Sequence, residues 1–161
     1  MTQDEVKTIM HERICALLEE CKRDCGKSYR KIEKDMGLSQ GRLKDIKNNK
    51  RMLKTETVVR LANYSGIRMD WILGRCDDSG KYAKPGRKTE PGHERLDAPE
   101  RLGMLLERRR MTPWDLAKAL GISYFAAYSA WEGDALSQPW IQIAYADYFG
   151  VTVDWLLGME E

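Results

Sequence analysis

Residues 28–46 read Ser28-Tyr-Arg-Lys-Ile32-Glu-Lys-Asp-Met36-Gly37-Leu38-Ser39-Gln-Gly-Arg-Leu43-Lys-Asp-Ile46. Ser28 stands where a helix N-cap belongs, because its hydroxyl can accept from a backbone N–H that the first turn leaves unpaired. Ile32 and Met36 then share one face of a short helix. Gly37 ends that helix, since glycine takes the left-handed C-cap conformation without a Cβ penalty. Ser39 is expected to cap a further helix, whose inner face is Leu43 and Ile46.

The same helical period extends on both sides. Ile14, Leu17, Leu18 and Cys21 fall at i, i+3, i+4 and i+7, the apolar stripe of an earlier helix. Thr2 and Glu5 have the spacing of a capping box at its start. Downstream, Val58, Leu61 and Ala62 mark a fourth helix, and Asp70-Trp71-Ile72-Leu73 a last short one. No segment alternates with the period of a strand. Two short helices meeting across a glycine-containing turn, inside a set of five, are the helix-turn-helix plan. In that plan the second helix of the pair enters the major groove and the first crosses the DNA backbone.

The pattern returns. Tyr64-Ser-Gly66-Ile-Arg-Met-Asp70-Trp71-Ile-Leu73-Gly74 has its counterpart, at a numbering offset of 84, in Tyr148-Phe-Gly150-Val-Thr-Val-Asp154-Trp155-Leu-Leu157-Gly158. At the same offset Lys34, Gly37, Ser39 and Ala62 match Lys118, Gly121, Ser123 and Ala146, making ten identities in 44 aligned pairs. The second copy repeats the plan: Leu102, Leu105 and Leu106; Thr112 as cap with Pro113 at the first helical position; Leu116, Ala117, Leu120 and Gly121; Ser123 as the next cap; then Ile141 to Phe149. Between the copies, residues 75–97 contain Asp-Asp-Ser-Gly, Lys84-Pro-Gly and Glu90-Pro-Gly, the composition of a flexible linker. The expected domains are therefore 1–74 and 98–161.

Composition agrees with two small domains. The chain has 161 residues, 42% of them apolar, enough for packed cores. Its longest uncharged run, Ala119 to Trp131, is 13 residues, short of the ~18 that a membrane span needs. The first residues, Met1-Thr-Gln-Asp-Glu, carry no apolar core of a secretory signal, so a cytoplasmic, nucleoid-associated protein is expected.

The four cysteines, Cys15, Cys21, Cys25 and Cys76, are read as packed or surface thiols. His11 and Cys15 are four apart, as are Cys21 and Cys25. On one helix His11 and Cys25 would lie about 21 Å apart, too far to share an ion. No metal site and no cofactor are expected. Gly26-Lys27-Ser28 lacks the first glycine and the preceding strand of a phosphate-binding loop. His11 and His93 join no nucleophile or paired carboxylate, so no enzyme is expected.

Both copies resemble the Cro/phage-repressor-type (XRE-like) helix-turn-helix family, through the cap–helix–Gly–Ser–helix pattern and the closing Asp70-Trp-Ile-Leu-Gly and Val153-Asp-Trp-Leu-Leu-Gly segments. The resemblance implies an all-α fold: two tandem five-helix, lambda-repressor-like DNA-binding domains joined by a flexible linker. The family often has Trp-Glu-x-Gly after its third helix. Copy one has Ile46-Lys47-Asn48-Asn49 there, with Asn49 able to take the left-handed conformation. Copy two has Trp131-Glu132-Gly133, one residue shorter.

The net charge of +2 conceals an asymmetry. From Lys27 to Arg51 nine basic residues face three acids, a balance of +6, whereas the equivalent Met111 to Ala135 carries −2. A charge run is commonly just a solvated face, but this one coincides with the motif. Leu43 and Ile46 point inward, leaving Gln40, Gly41, Lys44 and, at the edge, Asp45 outward. By the family's pattern these read base edges. Glutamine can bond adenine twice and lysine can approach guanine acceptors. Tyr29, Arg30, Lys31, Arg42, Lys47, Asn48, Lys50 and Arg51 flank this surface and are expected to hold phosphates.

In copy two Ala127 and Ala130 take the inward places, so Tyr124, Phe125 and Tyr128 point where DNA would lie. Exposed aromatics without cations suit a protein interface, for a homodimer or another protein. A weaker second DNA reader, aided by Arg108, Arg109 and Arg110, and a purely structural role remain as alternatives. The expected function is a bacterial or phage transcriptional regulator, a repressor acting by operator occupancy on double-stranded DNA. The competing reading is an antirepressor- or antitoxin-like adaptor that keeps the fold without using DNA.

Overall fold

The computed structural model describes residues 1–80, 98–131 and 138–160, the side chains of 98 and 129–131 excepted. Residues 81–97 of the expected 75–97 linker, the loop at Glu132-Gly133 and the inward place given to Ala130 lie outside that description. Among the described residues the chain is all α, with ten helices and no strand. It divides into two compact units, one made mostly of residues before 95 and the other mostly of those after.

In the first unit α1 (Gln3–Cys25) opens with the expected capping box. The Thr2 hydroxyl accepts from Glu5 N–H at 3.2 Å, and the Glu5 carboxylate accepts from Thr2 N–H at 2.6 Å. Val6, Met10, Ile14, Leu17 and Leu18 form its buried face. α2 (Tyr29–Met36), α3 (Arg42–Asn48), α4 (Thr55–Ser65) and α5 (Met69–Ile72) follow. α1 packs on α3 and α5, and α2 on α3. Ile32, Met36, Leu43, Ile46, Val58, Leu61, Ala62, Ile72 and Leu73 are buried as their spacing predicts.

The second unit holds α6 (Ala98–Arg109), α7 (Pro113–Leu120), α8 (Tyr124–Trp131), α9 (Pro139–Phe149) and α10 (Val153–Leu156). Leu102, Leu105, Leu106, Leu116, Ile141, Tyr145, Phe149 and Leu156 make its core. Thr112 and Asp115 cap α7 reciprocally around Pro113. The limits of α2 and α7, of α4 and α9, and of α5 and α10 all stand at the offset of 84 found in the sequence.

A second shared device is invisible at that offset. Arg13 on α1 donates to the carbonyls of Trp71 and, at 2.8 Å, Cys76, while its guanidinium lies 4.9 Å from the centroid of the Trp71 ring. Arg101 on α6 does the same with Trp155 and, at 2.7 Å, Glu160, with its guanidinium 4.8 Å from the Trp155 ring. Each arginine ties its unit's first helix to one carbonyl within the last short helix and one just beyond it. Arg13 and Arg101 are 88 apart, as are Ile14 and Leu102, Leu17 and Leu105, and Leu18 and Leu106. Four extra residues, about one helical turn, therefore lengthen the end of α1 relative to α6.

One core position differs in kind. Tyr145, the counterpart of Leu61, is fully buried, and its hydroxyl has no hydrogen-bond partner among the described residues. Burial pushes its phenol well above the usual range. An unpaired buried hydroxyl costs about 1–3 kcal/mol. Tyr145→Phe is expected to hold or raise stability, by up to ~1 kcal/mol, in a thermal melt of the full chain. A clear fall in the midpoint would contradict this.

Candidate nucleic-acid interface

α2 begins as expected, with Lys31 N–H donating to the Ser28 hydroxyl at 3.3 Å. It ends at Gly37, whose φ of 69° is left-handed. Arg60 on α4 donates to the Met36 and Gly37 carbonyls at 3.1 and 3.0 Å, securing this end.

The turn into α3 departs from the expectation. Ser39 does not cap the helix with its side chain; α3 starts three residues later, at Arg42, with Gly41 as N-cap at φ 80° and no hydroxyl serving it. The cap comes from α2. The Glu33 carboxylate, 3% exposed, accepts from Gly41 N–H at 3.1 Å and from Leu43 N–H at 2.8 Å. An anion at the start of a helix meets both free donors and the positive end of the dipole. Gln40 and Gly41 therefore sit in the turn ahead of α3. In the second unit the corresponding residue is Ala117, and there Ser123 does cap, accepting from Ala126 N–H at 3.1 Å. Glu33 could have been suspected in the sequence. It sits between Ile32 and Met36 on the inner face of a short helix, where an acid must find donors.

Asn49 also differs: its φ is −122°, so it is extended, not left-handed. Its side-chain amide instead donates to the Asp45 carboxylate at 2.9 Å.

Tyr29, Arg30, Gln40, Gly41, Lys44, Lys47 and Asn48 line one shallow groove, floored by Glu33. This groove unites three of the four expected base readers with four of the eight expected phosphate binders. Asp45, Lys31, Arg42, Lys50 and Arg51 lie outside it. Asp45 is engaged within the chain, pairing with Arg42 at 3.1 Å and with Arg51. Lys31 and Lys27 both pair with Asp35, at 3.2 and 2.9 Å. Lys47 donates to Glu19 and, at 3.1 Å, to the Tyr29 hydroxyl, which itself donates to Glu19 at 2.9 Å. Glu19 raises the Lys47 ammonium above its ordinary value, and Lys47 in turn holds the Glu19 carboxyl below its own. Lys22 lies over the Tyr29 ring at 4.8 Å. Arg30, Lys34 and Lys44 form no ion pair among the described residues, and Arg30 and Lys44 both face the groove. A polyanion would meet these two cations without first breaking a salt bridge.

In the second unit Tyr124, Phe125 and Tyr128 are exposed, as expected, and Trp114 on α7 joins them. The Trp114 and Tyr124 rings are 5.3 Å apart and those of Tyr124 and Tyr128 5.7 Å. Trp114 was legible: it is the counterpart of Arg30 between the two copies, on the outward face. Among the described residues no group of three or more His, Cys, Asp and Glu could hold a metal. Burial pushes the Cys21 thiol up to about 11, so it is poorly suited to act as a thiolate. None of the described helices is long and apolar enough to cross a membrane.

The geometry of α2, the turn and α3 defines a class, the helix-turn-helix. A helix-turn-helix family model (HTH_3, of the XRE type) matches residues 18–72, a match that suggests DNA binding and is consistent with a transcriptional regulator. No second copy is matched. No curated protein and no solved structure matches the chain.

Proposed function

We propose that the chain is a sequence-specific transcriptional repressor that works by occupying its operator. The first unit is the reader, over residues 1–74. The second, over 98–161, is a diverged copy of the same fold that serves as a protein interface. The observation that carries the reading is the groove in which Gln40, Gly41 and Lys44 stand beside Arg30, both cations outside any ion pair among the described residues. Gln40 and Lys44 read base edges. Arg30, Asn48 and, once released from Glu19, Lys47 hold phosphates, with Tyr29 beside them. Lys31, Lys50, Arg42 and Arg51 widen the positive field around the groove. The shared helix spacing and the paired clamps at Arg13 and Arg101 support a common ancestry for the units.

Binding is expected to be strongly salt-dependent. With about five phosphates engaged per reader, log K should fall against log salt with a slope near −4 to −5. A fluorescence titration of the full chain with duplex DNA at several salt concentrations measures it. A flat response would sink the proposal.

A further inference from the structure

Four rings stand on the outer face of the second unit: Trp114 is 54% exposed, Tyr124 42%, Phe125 79% and Tyr128 40%. At the offset of 84 they occupy the places of Arg30, Gln40, Gly41 and Lys44, the groove residues of the reader. The face that presents cations in one unit presents aromatic rings in the other. α8 has no charged residue from Tyr124 to Trp131. A phosphate backbone finds little to bind there, since its affinity comes from cations.

We infer that this face is the surface through which two copies of the chain pair, α8 of one against α8 of the other about a two-fold axis. The inference rests on the reading of the second unit as a protein interface and commits it to one occupant. Two observations favour a second copy. First, a two-fold axis brings each patch against itself, and an uncharged helix does so without opposing like charges. Second, the area is of the right order. An aromatic side chain offers about 150–250 Å², so the four rings expose roughly 400 Å² per chain. Pairing would cover about twice that, a large share of the ~1,200–2,000 Å² buried in a standard interface, with the polar rim supplying the rest. Trp114, Tyr124 and Tyr128 already rest against one another as tilted ring pairs and so lose little side-chain freedom on docking, which favours association.

The test is sedimentation equilibrium of the full chain at micromolar concentrations, beside Phe125→Glu and Trp114→Glu. Both side chains are exposed, so the fold should survive, and circular dichroism checks this. The wild-type chain should sediment as a dimer. Either charge should weaken pairing at least 100-fold at unchanged helix content, leaving affinity for a duplex with a single half-site unaltered. A monomer at every concentration overturns the inference, and so does a dimer indifferent to both charges. Loss of single half-site binding in the two variants overturns it as well, because it places the rings on DNA. Failure of the wild-type chain to prefer any duplex would instead strike the reader proposed for the first unit, leaving the sedimentation result intact.

Discussion

Replacing Glu33 with alanine is expected to destabilise the first unit by roughly 2–4 kcal/mol and to abolish specific DNA binding. The carboxylate is buried and accepts from two backbone donors at the start of α3. Hydrogen bonds to a charged group contribute about 1.5–3 kcal/mol each, and their loss leaves two N–H groups unpaired in a partly buried turn. No other described side chain caps α3, because Ser39 stands two residues ahead of the N-cap, Gly41. Glu33→Gln should fall between, since its amide oxygen still accepts while its NH2 brings donors into a buried place. Alanine itself is not foreign to the site: Ala117 occupies it in the second unit, where Ser123 takes over the capping. Thermal and urea unfolding of the full chain measure the effect. An unchanged midpoint for Glu33→Ala would show that the turn does not depend on the carboxylate.

The second large effect belongs to Arg30 and Lys44. Both cations face the groove and neither forms an ion pair among the described residues, so each meets DNA without first giving up a partner. Arg30→Glu with Lys44→Glu should lower operator affinity at least 100-fold, from about 1–3 kcal/mol per lost contact plus repulsion. The single changes separate two roles. Lys44→Ala should relax sequence preference, whereas Arg30→Ala should weaken all duplexes alike and flatten the salt slope by about one. Lys47→Ala should cost less than Lys44→Ala, because Lys47 must first leave Glu19 and Tyr29. Competition binding to matched and mismatched duplexes reads all of these. Equal losses for Lys44→Ala and Lys47→Ala on every duplex would contradict the assignment.

Much of this was legible in the residues. The caps at Thr2, Ser28, Gly37, Thr112 and Gly121 each depend on one residue type at one backbone position, and such local physics survives the move to three dimensions. The buried faces followed from period alone. What escaped was set by contacts between elements. A hydroxyl at position 39 looks like a cap until Glu33, reaching from the neighbouring helix, takes the donors and lets α3 begin later. Gly41 accommodates that later start with its positive φ, whereas Phe125, its counterpart, lies within α8. Asn49 stays extended because its amide is drawn to Asp45. The charge count was right as a sum, yet Asp35, Asp45 and Glu19 each pair with cations inside the run or beside it, so the positive surface narrows to fewer groups. The clamps of Arg13 and Arg101 lay hidden because the first helices align at 88 while the helices after them align at 84.

The central claim is that the α2–α3 face of the first unit reads a DNA sequence. Its most direct test is selection of duplexes from a random-sequence pool by the full chain, set beside the Lys44→Ala chain. The account predicts one enriched motif for the natural chain, with preference at one or two positions lost in the variant. Recovery of unenriched duplexes by the natural chain, or the same motif at full strength from Lys44→Ala, would contradict it.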